Sequence, residues 1–148
     1  MSVHRATVRW HRTTDSSSYD AYGRAHTWHF PGGSVVEASA APAFRGDADL
    51  VDPEEAFVAS LASCHLLTFL ALAARAGLTV DGYDDEAEGV LAKNADGRFA
   101  VTRVVLRPSV TFGGAPPDPA EIARLHERAH ADCFIANSVR TEVAVEPR

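Results

Sequence analysis

The apolar positions change rhythm along the chain, and the changes mark the elements. Residues 3 to 10, "VHRATVRW", alternate roughly between polar and apolar and predict a strand. The polar run "TTDSSSYD" follows as a loop. "RAHTWHF", residues 24 to 30, alternates again, and "PGG" at 31 to 33 turns it into "SVVEAS", the pattern of a hairpin. Residues 41 to 52, "APAFRGDADLVD", have no period and read as an irregular connection. A helix is predicted from Pro53, with Asp52 as N-cap and Glu54 and Glu55 suited to its positive end. It should run to about Arg75, with Gly77 just past its end.

Two strand-like runs follow, "LTVDGYDDEAEGVLAKN" and "RFAVTRVVLRPSVTF", joined through "NADGR", whose Asp-Gly pair is a hairpin signal. "GGAPPDP" breaks the chain. Asp118 and Pro119 repeat the helix start ahead of "AEIARLHERAHADC". "FIANS" reads as a turn or short helix, and "VRTEVAVEP" as a closing strand. No internal repeat is present. Three strands, a long helix, two strands, a helix and a strand make an α+β fold, expected as one domain over residues 1–148.

The long helix raises a second question. Residues 56 to 74, "AFVASLASCHLLTFLALAA", hold no Asp, Glu, Lys or Arg, and their length would cross a bilayer. A helix apolar nearly all round is either a membrane span or the centre of a soluble core. The run also contains serines, a histidine, a threonine and a cysteine, and no second such run exists. A buried central helix sealed by a partner subunit is the reading adopted, with no membrane partner. The composition, 46% hydrophobic and 23% charged over 148 residues, fits a soluble domain with a core of its own. A net charge of −6 argues against a nucleic-acid partner. "MSVHRATVRWHR" lacks the apolar segment of a secretory signal, and two cysteines do not make a secreted disulfide framework. Both point to a cytoplasmic protein, where a cysteine pair is more often catalytic, redox-active or metal-binding than structural.

The cysteines are Cys64 and Cys133. On the first helix Phe57, Leu61, Cys64 and Thr68 share a face; on the second, Ile122, Leu125, Ala129 and Cys133 do. Two helices packed through these stripes could bring the thiols together. Neither cysteine is at a helix N-terminus, which would acidify it, and Cys133 sits near a C-terminus, which disfavours a thiolate. A nucleophilic Cys64 therefore needs a cation from elsewhere. Arg24 in "YGRAHTW" and Arg45 in "AFRGD" are the candidates, because arginine stays charged when partly desolvated. A rival reading comes from His126, His130 and Cys133, which share a helical face and are good ligands for zinc or another transition metal, with His65 or Cys64 completing a site. Tyr83, Asp84, Asp85, Glu86 and Glu88 read as a solvated acidic face. Trp10 and Trp28 read as core or interface aromatics.

The two cysteine segments together resemble the OsmC/Ohr family, the osmotically inducible and organic hydroperoxide resistance proteins. The family's Asn-Pro-Glu helix start ten residues before a helical cysteine is similar to "DPEEAFVASLASC", with Asp52 for the usual Asn. Its second motif, a cysteine followed by a "PVSN"-like turn, resembles "CFIANS", with Asn137 retained and Phe134 in place of Pro. The resemblance covers essentially the whole chain. It implies an OsmC/Ohr-like fold, antiparallel sheets around two central helices in an intertwined homodimer with active sites at the interface. It also implies a thiol peroxidase acting on organic hydroperoxides. Cys64 would be peroxidatic and Cys133 resolving. No bound cofactor is implied, only an external dithiol reductant such as a lipoylated or thioredoxin-like protein. Glu54 matches the family's organising glutamate, although a straight helix puts it ~15 Å along the axis from Cys64. The family's arginine is matched by Arg24 in "YGR"; Arg45 is the alternative, displaced by two from the position of the other branch. Two further readings stand beside this one: a non-enzymatic binder of a small apolar ligand, and the His/Cys metal protein.

Overall fold

In the computed structural model, which describes residues 1–148, the chain divides into two compact units, Met1–Ala56 and Phe57–Arg148. In the first, β1 (Thr7–Arg9), β2 (His26–His29) and β3 (Val35–Ala38) form an antiparallel sheet in that order. The β2–β3 hairpin is the expected one. Trp28 stands opposite Val36 on one side and Val8 on the other, so apolar residues line up across the sheet. The turn is closed by the Phe30 N–H on the Ser34 carbonyl and the Gly33 N–H on the Phe30 carbonyl. β1 is shorter than its alternation suggested, because only Thr7, Val8 and Arg9 find partners on β2.

The connection to the first helix is irregular, with one 3₁₀ turn at Pro42–Phe44. Buried Ser39 holds it: its N–H donates to the Val51 carbonyl at 3.0 Å, and its Oγ accepts from the Asp47 N–H at 3.1 Å. α1 then runs Pro53–Arg75. Its start is a reciprocal capping box. The Glu55 N–H donates to Asp52 Oδ1 at 2.8 Å, and the Asp52 N–H to Glu55 Oε2 at 3.0 Å. Its end is a Schellman motif. Gly77, at φ 73°, takes the left-handed position, with the Leu78 N–H on the Ala73 carbonyl and the Gly77 N–H on the Ala74 carbonyl.

The second unit holds the rest of α1, then β4 (Val80–Asp85), β5 (Glu88–Lys93), β6 (Phe99–Leu106), β7 (Pro108–Phe112), α2 (Pro119–Asp132) and β8 (Glu142–Val145). Each of the two predicted strand runs is in fact two strands. β4 pairs with β7, and β5 with β6, so both runs leave one sheet and enter another. The breaks fall at Glu86–Ala87 and at Arg107, and Asp85 Oδ1 ties them together by accepting the Arg107 N–H at 2.7 Å. The strand pairings are antiparallel, as the resemblance implied, except that β8 runs parallel to β6. Parallel pairing needs a long crossover, and here β7 and α2 lie between the two strands. The Asp-Gly turn at 94–98 is as predicted, with Asn94 Oδ1 accepting the N–H groups of Asp96 and Arg98.

Two apolar cores follow from this layout. Leu61 of α1 packs with Val104 and Leu106 of β6, and Phe69 and Ala73 of α1 pack with Ala129 of α2. Gly89 allows α1 to lie close on the sheet, since a Cβ there would stand 2.5 Å from Val58 Cγ2. The capping box should be felt globally, because α1 supplies both cores. Asp52→Ala is expected to lower unfolding free energy by about 1 kcal/mol. Urea denaturation followed by circular dichroism measures it, and an unchanged midpoint would show that the box carries no stability.

Candidate active site

α1 buries Leu61, His65, Phe69 and Ala73, a row four residues apart. The face expected from the sequence was Phe57, Leu61, Cys64 and Thr68. It shares only Leu61 with the buried row, and Cys64 lies at the margin, half-buried. The phase was not legible because a helix without charges over nearly twenty residues has no polar face to fix its rotation. His65 is therefore interior.

Cys133 directly follows the last residue of α2 and takes extended backbone angles, φ −70° and ψ 113°. It is 1% exposed. The 3₁₀ turn Ala136–Ser138 wraps it. The Ala136 N–H donates to Cys133 Sγ at 3.4 Å, and the Asn137 N–H to the Cys133 carbonyl at 3.0 Å. The Asn137 side chain donates to the Ala131 carbonyl at 2.8 Å, which caps the helix end. The two thiols are neighbours, near enough for Cys64 to raise the Cys133 thiol. Burial pushes the Cys133 thiol up to about 11, the neighbouring Cys64 thiol adds to the rise, and the backbone N–H groups of Ala136 and Ile135 oppose it. At neutral pH Cys133 is a thiol, not a thiolate.

Behind the thiols lies a buried histidine pair. His65 Nε2 and His126 Nδ1 are 3.1 Å apart, with the rings parallel within 4° and the centroids 5.4 Å apart. Phe69 stacks on His126 with ring centroids 4.4 Å apart. His65 is 0% and His126 3% exposed. Both are held neutral, at about 4, chiefly by burial; neighbouring His126 and His130 add to the effect on His65. The sequence offered His126 and His65 only as candidate metal ligands; the period-four row through His65 was the signal that it is interior. The His126, His130 and Cys133 metal reading finds no support, since no three His, Cys, Asp or Glu side chains converge in a metal-holding arrangement. His126 faces His65, and Cys133 faces Cys64 and the Ala136 N–H. The acidic patch needs correction as well. Tyr83 packs on Phe69 with its hydroxyl buried and unpaired, and burial raises both Tyr83 and Asp85.

In the first unit, Arg24 and Glu54 line one cavity of about 510 Å³, together with Trp10, Tyr22, His26 and Phe44. The Arg24 guanidinium donates to the carbonyls of Tyr19 and Tyr22, both at 2.6 Å, and lies 3.9 Å from the centre of the Tyr22 ring. It is fixed in place before any ligand arrives. Arg45 instead pairs with Asp20 at 2.7 Å, from a left-handed backbone at φ 64°. Trp10 is partly exposed and donates to the Gly23 carbonyl, while Trp28 donates to His26 Nε2.

With that geometry in place, the chain can be set beside known proteins. A family model for OsmC-like proteins matches residues 46–148. An OsmC-like protein of unknown function from Vibrio cholerae is 48% identical, with each chain covered over 100% of its length and a TM-score of 0.94. The organic hydroperoxide resistance protein OhrB of Bacillus subtilis is 21% identical with a TM-score of 0.72, covering 99% of this chain and 98% of that one, a likeness of fold. The uncharacterised protein YmaD of Bacillus subtilis is 24% identical over 117 residues, 78% of this chain and 77% of its own.

The histidine pair makes the fold acid-sensitive. In the folded chain both rings stay neutral down to about pH 4, while unfolded histidine takes up protons below 6.5. Between those values the unfolded chain binds more protons, so stability is full above pH 6.5 and falls as the pH drops toward 4. Each ring forfeits about 1.4 kcal/mol per pH unit at most. Unfolding midpoints between pH 7 and 4.5 should fall steeply in the native chain and less in His126→Phe. Equal slopes would show that the pair is not protonated on unfolding.

Proposed function

The chain belongs to the OsmC-like family, and on that premise we propose that it is a thiol-dependent peroxidase for organic hydroperoxides. The meeting of a half-buried Cys64 with a buried Cys133 carries this reading. The Cys64 thiolate attacks the peroxide O–O bond. One oxygen goes to sulfur as a sulfenic acid, and the other leaves, with a proton, as the alcohol. Cys133 then displaces the hydroxyl as water and closes a disulfide. An external dithiol, such as a lipoylated or thioredoxin-like protein, restores both thiols by exchange. A thiol held near 11 is a poor first nucleophile, which favours Cys64 for the first step.

Arg24 and Glu54 are assigned to holding the Cys64 thiolate. The family resemblance is what supports that role for both, and Arg45 is already paired with Asp20. The working form is a homodimer in the cytoplasm. The uncharged run of α1, with Leu67 64% exposed, supports an apolar interface. A second reading has one observation in its favour. A cavity of about 620 Å³ lined by Phe57, Val101, Val139 and Arg140 contains neither cysteine, as a non-enzymatic binder of apolar ligands would show.

One equivalent of an organic hydroperoxide is expected to remove two hydrogen atoms from the intact mass and to link Cys64 to Cys133 in peptide maps. Cys133→Ser should stop at the sulfenic acid, and Arg24→Ala should slow oxidation by tenfold or more. Thiols left unchanged by excess hydroperoxide would sink the peroxidase reading and favour the ligand binder. Oxidation of Cys133 first, in Cys64→Ser, would reverse the two roles.

A further inference from the structure

We propose that His65 and His126 are positioning residues for the thiol pair, joining the helix that carries Cys64 to the helix that ends at Cys133. His65 is the residue after Cys64 on α1, and His126 lies two turns before Cys133 on α2. Their 3.1 Å bond is a directional side-chain link between the two helices; the packing around it, Phe69 and Ala73 on Ala129, is apolar and sets no direction.

The bond is costly where it stands. One ring must donate and the other accept. If His65 Nε2 carries the proton, His126 carries its own on Nε2 and His65 Nδ1 is a bare acceptor. If His126 Nδ1 carries it, the orphans exchange kinds. Both outer nitrogens, His65 Nδ1 and His126 Nε2, are buried without a partner, as is His130 Nδ1 nearby. Unpaired buried polar groups destabilise, and two apolar side chains of similar shape would fill the same space without that penalty. What they would not supply is a fixed register between Cys64 and Cys133. A packing role predicts that an apolar pair serves as well; a positioning role predicts that it does not. This assignment deepens the peroxidase reading and rests on it only for the importance of the thiol pair.

The test avoids peroxide. The Cys64–Cys133 thiol–disulfide equilibrium is measured in dithiothreitol redox buffers at pH 7, by acid quenching, alkylation and mass spectrometry. Two double variants are compared with the native chain. His65→Leu/His126→Leu removes the bond and keeps the bulk. His65→Gln/His126→Asn places amide groups where Nε2 and Nδ1 now lie and can restore it. The leucine pair is expected to fold with stability equal to or above native, yet to lose tenfold or more in the equilibrium constant, ~30 mV for this two-electron couple. The amide pair should stay within about twofold of native. A leucine pair with a native equilibrium overturns the positioning role and leaves the peroxidase reading intact. If the leucine pair does not fold, the amide pair decides alone, and a tenfold loss there overturns the role. A native chain that forms no Cys64–Cys133 disulfide under any buffer overturns both readings at once.

Discussion

The packing of α1 against α2 is the constraint on which the rest of this molecule depends. One buried row on α1, Leu61, His65, Phe69 and Ala73, serves both apolar cores of the second unit. Phe69 and Ala73 meet Ala129 of α2, and His65 meets His126. Cys64 is the neighbour of that row, and Cys133 terminates the helix packed against it. The thiols are brought together by the same packing that holds the second unit together. Chemistry and stability therefore share their residues, which is costly at the histidine pair, where buried nitrogens stand without partners.

Capping works at a distance from this packing but feeds into it. The Asp52–Glu55 box fixes where α1 begins, and the Schellman turn at Gly77 fixes where it ends. Between them the helix has no charged side chain from Ala56 to Ala74. Its length and start are set by polar residues at its ends, and its rotation only by what it packs against. The arrangement at the other end of the site is similar. The turn after Cys133 is held by Ala136 and Asn137, so the sulfur is enclosed by backbone rather than by charge. Burial raises its thiol to about 11 against the lowering effect of the backbone N–H groups.

The sequence carried the element order and the helix ends clearly, because Asp-Pro, Gly and Asp-Gly signals have local causes. The two bent strand pairs were hidden. Nothing local marks a strand that changes sheets, and the tie between them, Asp85 to the Arg107 N–H, spans 22 residues. The parallel partner of β6 was hidden for the same reason. Of the candidate site, both cysteines and Glu54 at the helix start were visible through their motifs. The buried phase of α1 was not, and with it went His65. Tyr83 and Asp85 were read as solvated because they sit in an acidic run, yet alternation along β4 turns both inward.

The central claim is that this fold makes Cys64 a peroxide-reducing thiol with Cys133 as its resolving partner. The most direct test is the second-order rate of Cys64 with an alkyl hydroperoxide in Cys133→Ser, followed by stopped flow at pH 7 against free cysteine. The account predicts a rate far above free cysteine that collapses in Arg24→Ala. A rate equal to that of free cysteine, indifferent to Arg24, would contradict it.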